Sequence, residues 1–147
     1  MTKKTNCFLK ISSNVINLDE DGRPEGEVEK DELCVAGALN AEGDAITLSY
    51  KEEREGSSVL CKITARGDEV KVSRRGDVIS DMLFSPGKIH KSVYKVPPFS
   101  FDMEISALKI ENGLKRDGGV LSLLYGMTVG GAKKRCRMKI EAFLDNE

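Results

Sequence analysis

The chain has 147 residues, 39% hydrophobic and 32% charged, with 23 Lys and Arg set against 24 Asp and Glu for a net charge of −1. That length suits one ordinary domain, residues 1–147, with a core large enough to need no staples. The charge balance argues against a protein built mainly to hold nucleic acid or an anionic membrane, both of which call for a clear positive excess.

In chain order, candidate strands fall near residues 6–16, 27–39, 44–52, 58–66, 69–75, 78–84, 89–96, 99–111, 119–129 and 134–144. The evidence is period-2 alternation. Ile46, Leu48 and Tyr50 alternate with Thr47, Ser49 and Lys51; Val59, Cys61, Ile63 and Ala65 alternate with Leu60, Lys62, Thr64 and Arg66. Phe99, Phe101, Met103, Ile105 and Ala107 form a third run, and Cys136, Met138, Ile140 and Ala142 a fourth. One wet face and one buried face is the mark of antiparallel strands, since parallel strands are buried on both sides. The acidic stretch Asp19–Glu32 reads as a long turn running into a charged strand start. In Phe99–Ile110 the apolar parity moves from odd positions to Leu108 and Ile110, a slip that a β-bulge produces.

Turn residues separate the runs at short intervals: Asp21-Gly22, Glu42-Gly43-Asp44, Gly67-Asp68, Ser85-Pro86-Gly87, Asn112-Gly113 and Gly130-Gly131. No window holds a helical period. A meander of many strands joined by tight turns must deal with its edges, and closure removes them. The expectation is an all-β fold: a single closed antiparallel up-and-down β-barrel of about eight to ten strands.

The ordered segments Tyr50-Lys51-Glu52-Glu53, Ser73-Arg74-Arg75-Gly76, Met82-Leu83-Phe84-Ser85-Pro86-Gly87, then Tyr94 and Pro97-Pro98-Phe99, resemble the YwiB-like bacterial family. Leu33 and Gly37 continue the pattern. The chain departs from it at Ser100, where the family pattern leads one to expect glycine. The resemblance implies a lipocalin-like (calycin) barrel and, the family being uncharacterised, no reaction.

Chemistry-bearing motifs are sparse. Cys7, Cys34, Cys61 and Cys136 include no close pair of the kind zinc and redox sites use. With no apolar leader core after Met1 and no 18-residue apolar run, the chain is expected in the cytoplasm with its thiols reduced. His90 is the lone histidine and has no nucleophile motif around it. Glu27, Glu29, Asp31 and Glu32 could serve as acids and bases only if they converged, and charge runs are usually solvated faces. No phosphate-cradling glycine loop is present. The expectation is therefore a non-enzymatic protein without metal or cofactor.

Two binding readings are open. A barrel of this size is either filled by its side chains or has room for one small ligand. The alternation offers Tyr50, Met82, Phe84, Tyr94, Phe101, Tyr125 and Met127 as the lining for a small, partly apolar molecule, with Leu48, Ile63 and Met103 beside them. Met, Leu and Val equally fill a core, and a packed interior is the favoured expectation. The second reading is an interaction module whose basic outer face comprises Lys133, Lys134, Arg135, Arg137 and Lys139. Arg74 and Arg75 would extend that face, and Glu104 or Glu111 would pair with it. Few aromatics accompany it, which disfavours nucleic acid as the partner. Outward Leu60, Leu124 and Phe143 mark a candidate homodimer face.

Overall fold

The computed structural model describes residues 3–144 and contains ten strands in one sheet. They are β1 (Lys3–Leu18), β2 (Pro24–Glu42), β3 (Ala45–Arg54), β4 (Ser57–Arg66), β5 (Glu69–Gly76), β6 (Ser80–Phe84), β7 (Ile89–Val96), β8 (Phe99–Asn112), β9 (Gly118–Val129) and β10 (Ala132–Leu144). The lateral order is β6-β5-β4-β3-β2-β1-β10-β9-β8-β7, antiparallel throughout. Every neighbour is therefore consecutive in sequence, except that β10 pairs with β1 from Cys7–Leu144 to Asn17–Lys134. The sheet curls into a nearly closed up-and-down barrel, as the spacing of strands and turns predicts.

The seam lies between β6 and β7. Among the described residues, reciprocal backbone bonds between Ile79 and Lys95 (both 2.9 Å) cross it, and Ser92 Oγ donates to the Asp81 carbonyl at 2.8 Å. A second gap opens where β2 and β3 part company. They pair only from Gly37–Tyr50 to Glu42–Ala45, so the upper part of β2 is bonded to β1 alone. The charged strand start expected within Asp19–Glu32 is present, and β2 begins at Pro24, a few residues before the expected position near 27. Its first residues are exposed on both faces, so no apolar alternation announces them.

The strand ends divide the barrel into two halves. The lower half is packed. Phe84, Leu48, Ile63, Val70, Leu121 and Ile140 are fully buried there, with Ala41, Ala65, Ala142 and Leu114 closing the end. Asn112 Nδ2 donates to the Gly67 carbonyl at 2.9 Å, tying the β8–β9 side to the β4–β5 turn. Each large side chain so buried contributes about 1.5–3 kcal/mol relative to exposure.

The bulge is present, with a different outcome for one residue. Register shifts between Ala107 and Lys109, which restores Ile110 to the inner face opposite Leu123. Leu108 is the extra residue and is 56% exposed, not part of the apolar face. Ser100 sits in regular pairing with Lys95, so the strand accepts a side chain there. Of the candidate dimer residues, Leu60 and Phe143 are exposed and Leu124 is half-buried, but β4 lies across the barrel from β9 and β10. They do not share one patch.

At Gly37 the inner wall is too close for a side chain: a Cβ would meet the Ser49 carbonyl oxygen at 2.5 Å and Leu9 Cδ1 at 3.0 Å. Gly37→Ala is expected to cost about 1–3 kcal/mol through overpacking, read as a lower denaturant midpoint. Gly126→Ala, whose Cβ meets nothing within 4 Å, is the matched control. Equal midpoints for the two variants would contradict this packing.

A methionine-lined cavity in the upper barrel

The upper half of the barrel encloses a cavity of about 390 Å³, within the range of small-molecule sites. Its walls include Met82, Met103, Met127 and Met138, every methionine of the chain beyond Met1. Tyr94, Tyr125, Val15, Val129 and Cys136 complete the apolar and aromatic part; Ser13, Asp31, Glu52, Arg74 and Lys134 supply the polar groups. The strand alternation that packs the lower half places these same inward positions around open space above it.

Four of the expected ligand-binding residues, Met82, Tyr94, Tyr125 and Met127, line this cavity together. The other three do not. Phe84 is fully buried in the floor, its ring edge-to-face with Tyr125 at 4.8 Å and 67°. Tyr50 is buried in the wall beside its cross-strand neighbour Cys61. Phe101 has the inward parity but stands at the strand end, 41% exposed, against the Gly130 turn. The expected packed interior is thus correct for the lower half only.

The polar residues are the part that sequence reasoning misplaced. Arg74 follows Val70 and Val72 at inward spacing on β5 and faces the cavity, whereas Arg75 points out and pairs with Asp81 at 3.0 Å. Neither extends the basic stripe, because β5 lies several strands from β10. Lys134 shares the inner parity of Cys136 and donates to Asn17 Oδ1 at 3.0 Å, so it leaves the outer face too. Lys133, Arg135, Arg137 and Lys139 are exposed as expected. Glu104 and Glu111 pair with Lys91 and Lys109 instead, and Lys139 with Glu141 at 3.6 Å. In both misplaced cases the alternation carried the signal, outweighed by the habit of grouping adjacent basic residues.

At the β2–β3 gap, Arg54 forms a bidentate pair with Asp31 (2.7 and 2.8 Å) and a second bond from Nε to Glu52 (2.8 Å). One guanidinium therefore holds both acids of the cavity mouth. It keeps the Asp31 carboxyl below the usual carboxylate range, through hydrogen bonding first and its charge second. Glu27 and Glu29 are exposed, and Glu32 lies 3.9 Å from Lys10, so the acidic cluster does not converge. His90 is half-buried on β7 opposite Ile105, away from the cavity lining.

Deeper in, burial raises both the Tyr125 phenol and the Cys136 thiol, which lie side by side across β9 and β10. The Tyr50–Cys61 pair across β3 and β4 repeats the arrangement. Burial keeps these phenols protonated. Two unpartnered polar atoms remain near the cavity: Arg74 Nε and Ser80 Oγ, on register-paired residues of β5 and β6. A larger recess, about 510 Å³, is bordered by the outward residues Leu60, Lys62 and Arg75 and reaches Gly37, Tyr50 and Cys61 of the wall.

With this geometry in view, comparison with known proteins gives a consistent result. Residues 5–140 match the family described as a domain of unknown function, DUF1934. The chain belongs to that family. A curated relative, the uncharacterised β-barrel protein YwiB of Bacillus subtilis (strain 168), is 28% identical over 120 residues, covering 82% of each chain. The crystal structure of YwiB from Bacillus subtilis superposes with a TM-score of 0.84 at 25% identity, over 99% of this chain and 96% of that one.

Two measurements probe the barrel chemically. Cys34 is exposed while Cys7 is buried in the core with a raised thiol pKa, so Cys34 of the native protein should react promptly with an aromatic disulfide reagent and Cys7 only after unfolding. Fast reaction of Cys7 would contradict the packed core. For Asp31, a depressed folded pKa means the pair stabilises the fold fully above the ordinary Asp value of about 3.9 and loses that contribution as pH falls through the folded value. Arg54→Gln should move the Asp31 carboxyl titration, followed by NMR, upward; an unmoved titration would show that the pair does not form in solution.

Proposed function

We propose that this protein is a non-enzymatic, cytosolic binding barrel that holds one small, partly apolar molecule in its upper cavity. The single observation that supports the reading is the division of the interior. Side chains of the same alternation fill the lower half completely, yet leave about 390 Å³ above it, walled by four methionines and two tyrosines. Thioethers adapt to irregular apolar shapes, and phenols add a polar handle to an apolar wall. The rim fits entry of such a molecule: Phe99, Phe101 and Val96 are exposed at the β7–β8 tip beside the mouth.

The outer basic face supports a second reading as an interaction surface. Arg135 and Arg137 are exposed and, among the described residues, form no ion pair. Their register neighbours are Ile16, Asn14, Gly126 and Leu124, which provide no aromatic stacking platform. The cavity is the better-supported site.

Native mass spectrometry of gently purified protein tests the first reading directly. A stoichiometric mass excess that disappears on denaturation is expected. In parallel, Met127→Trp, which fills the cavity, should weaken binding of the neutral dye N-phenyl-1-naphthylamine about tenfold or more, whereas charge reversal at Arg135 and Arg137 should leave it unchanged. Dye binding that survives Met127→Trp but is lost on charge reversal would favour the outer face.

A further inference from the structure

Given the cavity reading above, the charge of the occupant follows from Arg74. Its side chain lies on the inner wall, between Cys61 of β4 and Ser80 of β6. Its Nε is buried without a hydrogen-bond partner, and so is the Ser80 hydroxyl beside it. The two acids of the mouth are both held by Arg54, and among the described residues Arg74 forms no ion pair with either. Guanidinium cannot shed its proton to escape a low-dielectric wall, so its desolvation is offset only by an anion or by water. Water would be a sufficient partner in a wholly polar recess, but nine of the fourteen residues lining this one are Met, Val, Tyr or Cys.

The second cation, Lys134, stands near the mouth and, among the described residues, has the neutral Asn17 amide as its side-chain partner. The phenol of Tyr125 lies within the field of Arg74 and is held protonated by burial, so it can donate but adds no competing negative charge.

We propose that the cavity selects an organic acid, whose carboxylate, sulfonate or phosphate group docks on the guanidinium of Arg74 while its apolar body lies among Met82, Met103 and Met127. A charge-assisted bond in such a setting is roughly twice as strong as a neutral one. Planar guanidinium also presents paired donors matched to these oxyanions. Lys134 adds attraction on the way in.

A pair of probes isolates the charge. The dyes 8-anilinonaphthalene-1-sulfonate and N-phenyl-1-naphthylamine share one ring system and differ by the sulfonate. The wild-type chain should bind the sulfonate dye about tenfold or more tightly than the neutral one. Arg74→Met should erase that margin with the neutral dye unaffected, Arg74→Lys should retain part of it, and Arg75→Met on the outer wall should change neither. Equal affinities in the wild type, or a sulfonate preference that persists in a folded Arg74→Met, would overturn the assignment to Arg74. If the neutral dye binds and the sulfonate dye gains nothing, only the anion docking fails; if neither binds, the cavity reading falls with it. The wild-type comparison decides the matter even if Arg74→Met does not fold.

Discussion

The antiparallel ladder between β1 and β10 converts a ten-strand meander into a barrel. Without it, β1 and β10 would be two hydrophobic edges, each a template for another chain. With it, the inward residues of both strands, Leu9 and Ile11 against Ala142 and Ile140, join the other strands around one axis. The packed floor, the cavity above it and the position of Arg74 all presuppose that closure.

The balance between floor and cavity is a matter of side-chain volume and strand divergence. In the lower half, aliphatic side chains from all around the wall meet at the axis, and Leu114 seals the end. In the upper half, β2 departs from β3, and the wall is wider than its side chains can span. The Asp31–Arg54–Glu52 cluster bridges the gap on the surface without filling the interior. Its acids are satisfied by Arg54, and among the described residues neither forms an ion pair with Arg74.

Much of this was legible in the sequence. Regular alternation and turn residues placed all ten strands, and the parity slip at Ala107–Ile110 located the bulge, because a strand with one buried face records its register directly. The acidic stretch announced a charged strand start, but the first residues of β2 from Pro24 were not legible, since a strand wet on both faces has no period to show. Four of the seven expected lining residues border one cavity. Parity alone cannot tell the axis of a packed floor from the wall of a cavity, and that distinction misplaced Phe84. Arg74 and Lys134 were readable from their parity with Val72 and Cys136, but composition pulled them toward the surface. Phe101 shows the remaining limit: inward parity holds only while the strand still has a barrel to face.

The seam between β6 and β7 has a mechanical consequence. Parting most neighbouring strands would break a continuous ladder, whereas parting β6 from β7 breaks the Ile79–Lys95 pair and the Ser92–Asp81 bond. The two strands remain tethered by the short turn at residues 85–88, so the wall can spread like a clasp hinged at its base. Tyr94 stands on β7 and lines the cavity, next to the line along which the clasp would open. Opening along this line would begin at the cavity end and leave the packed floor in place.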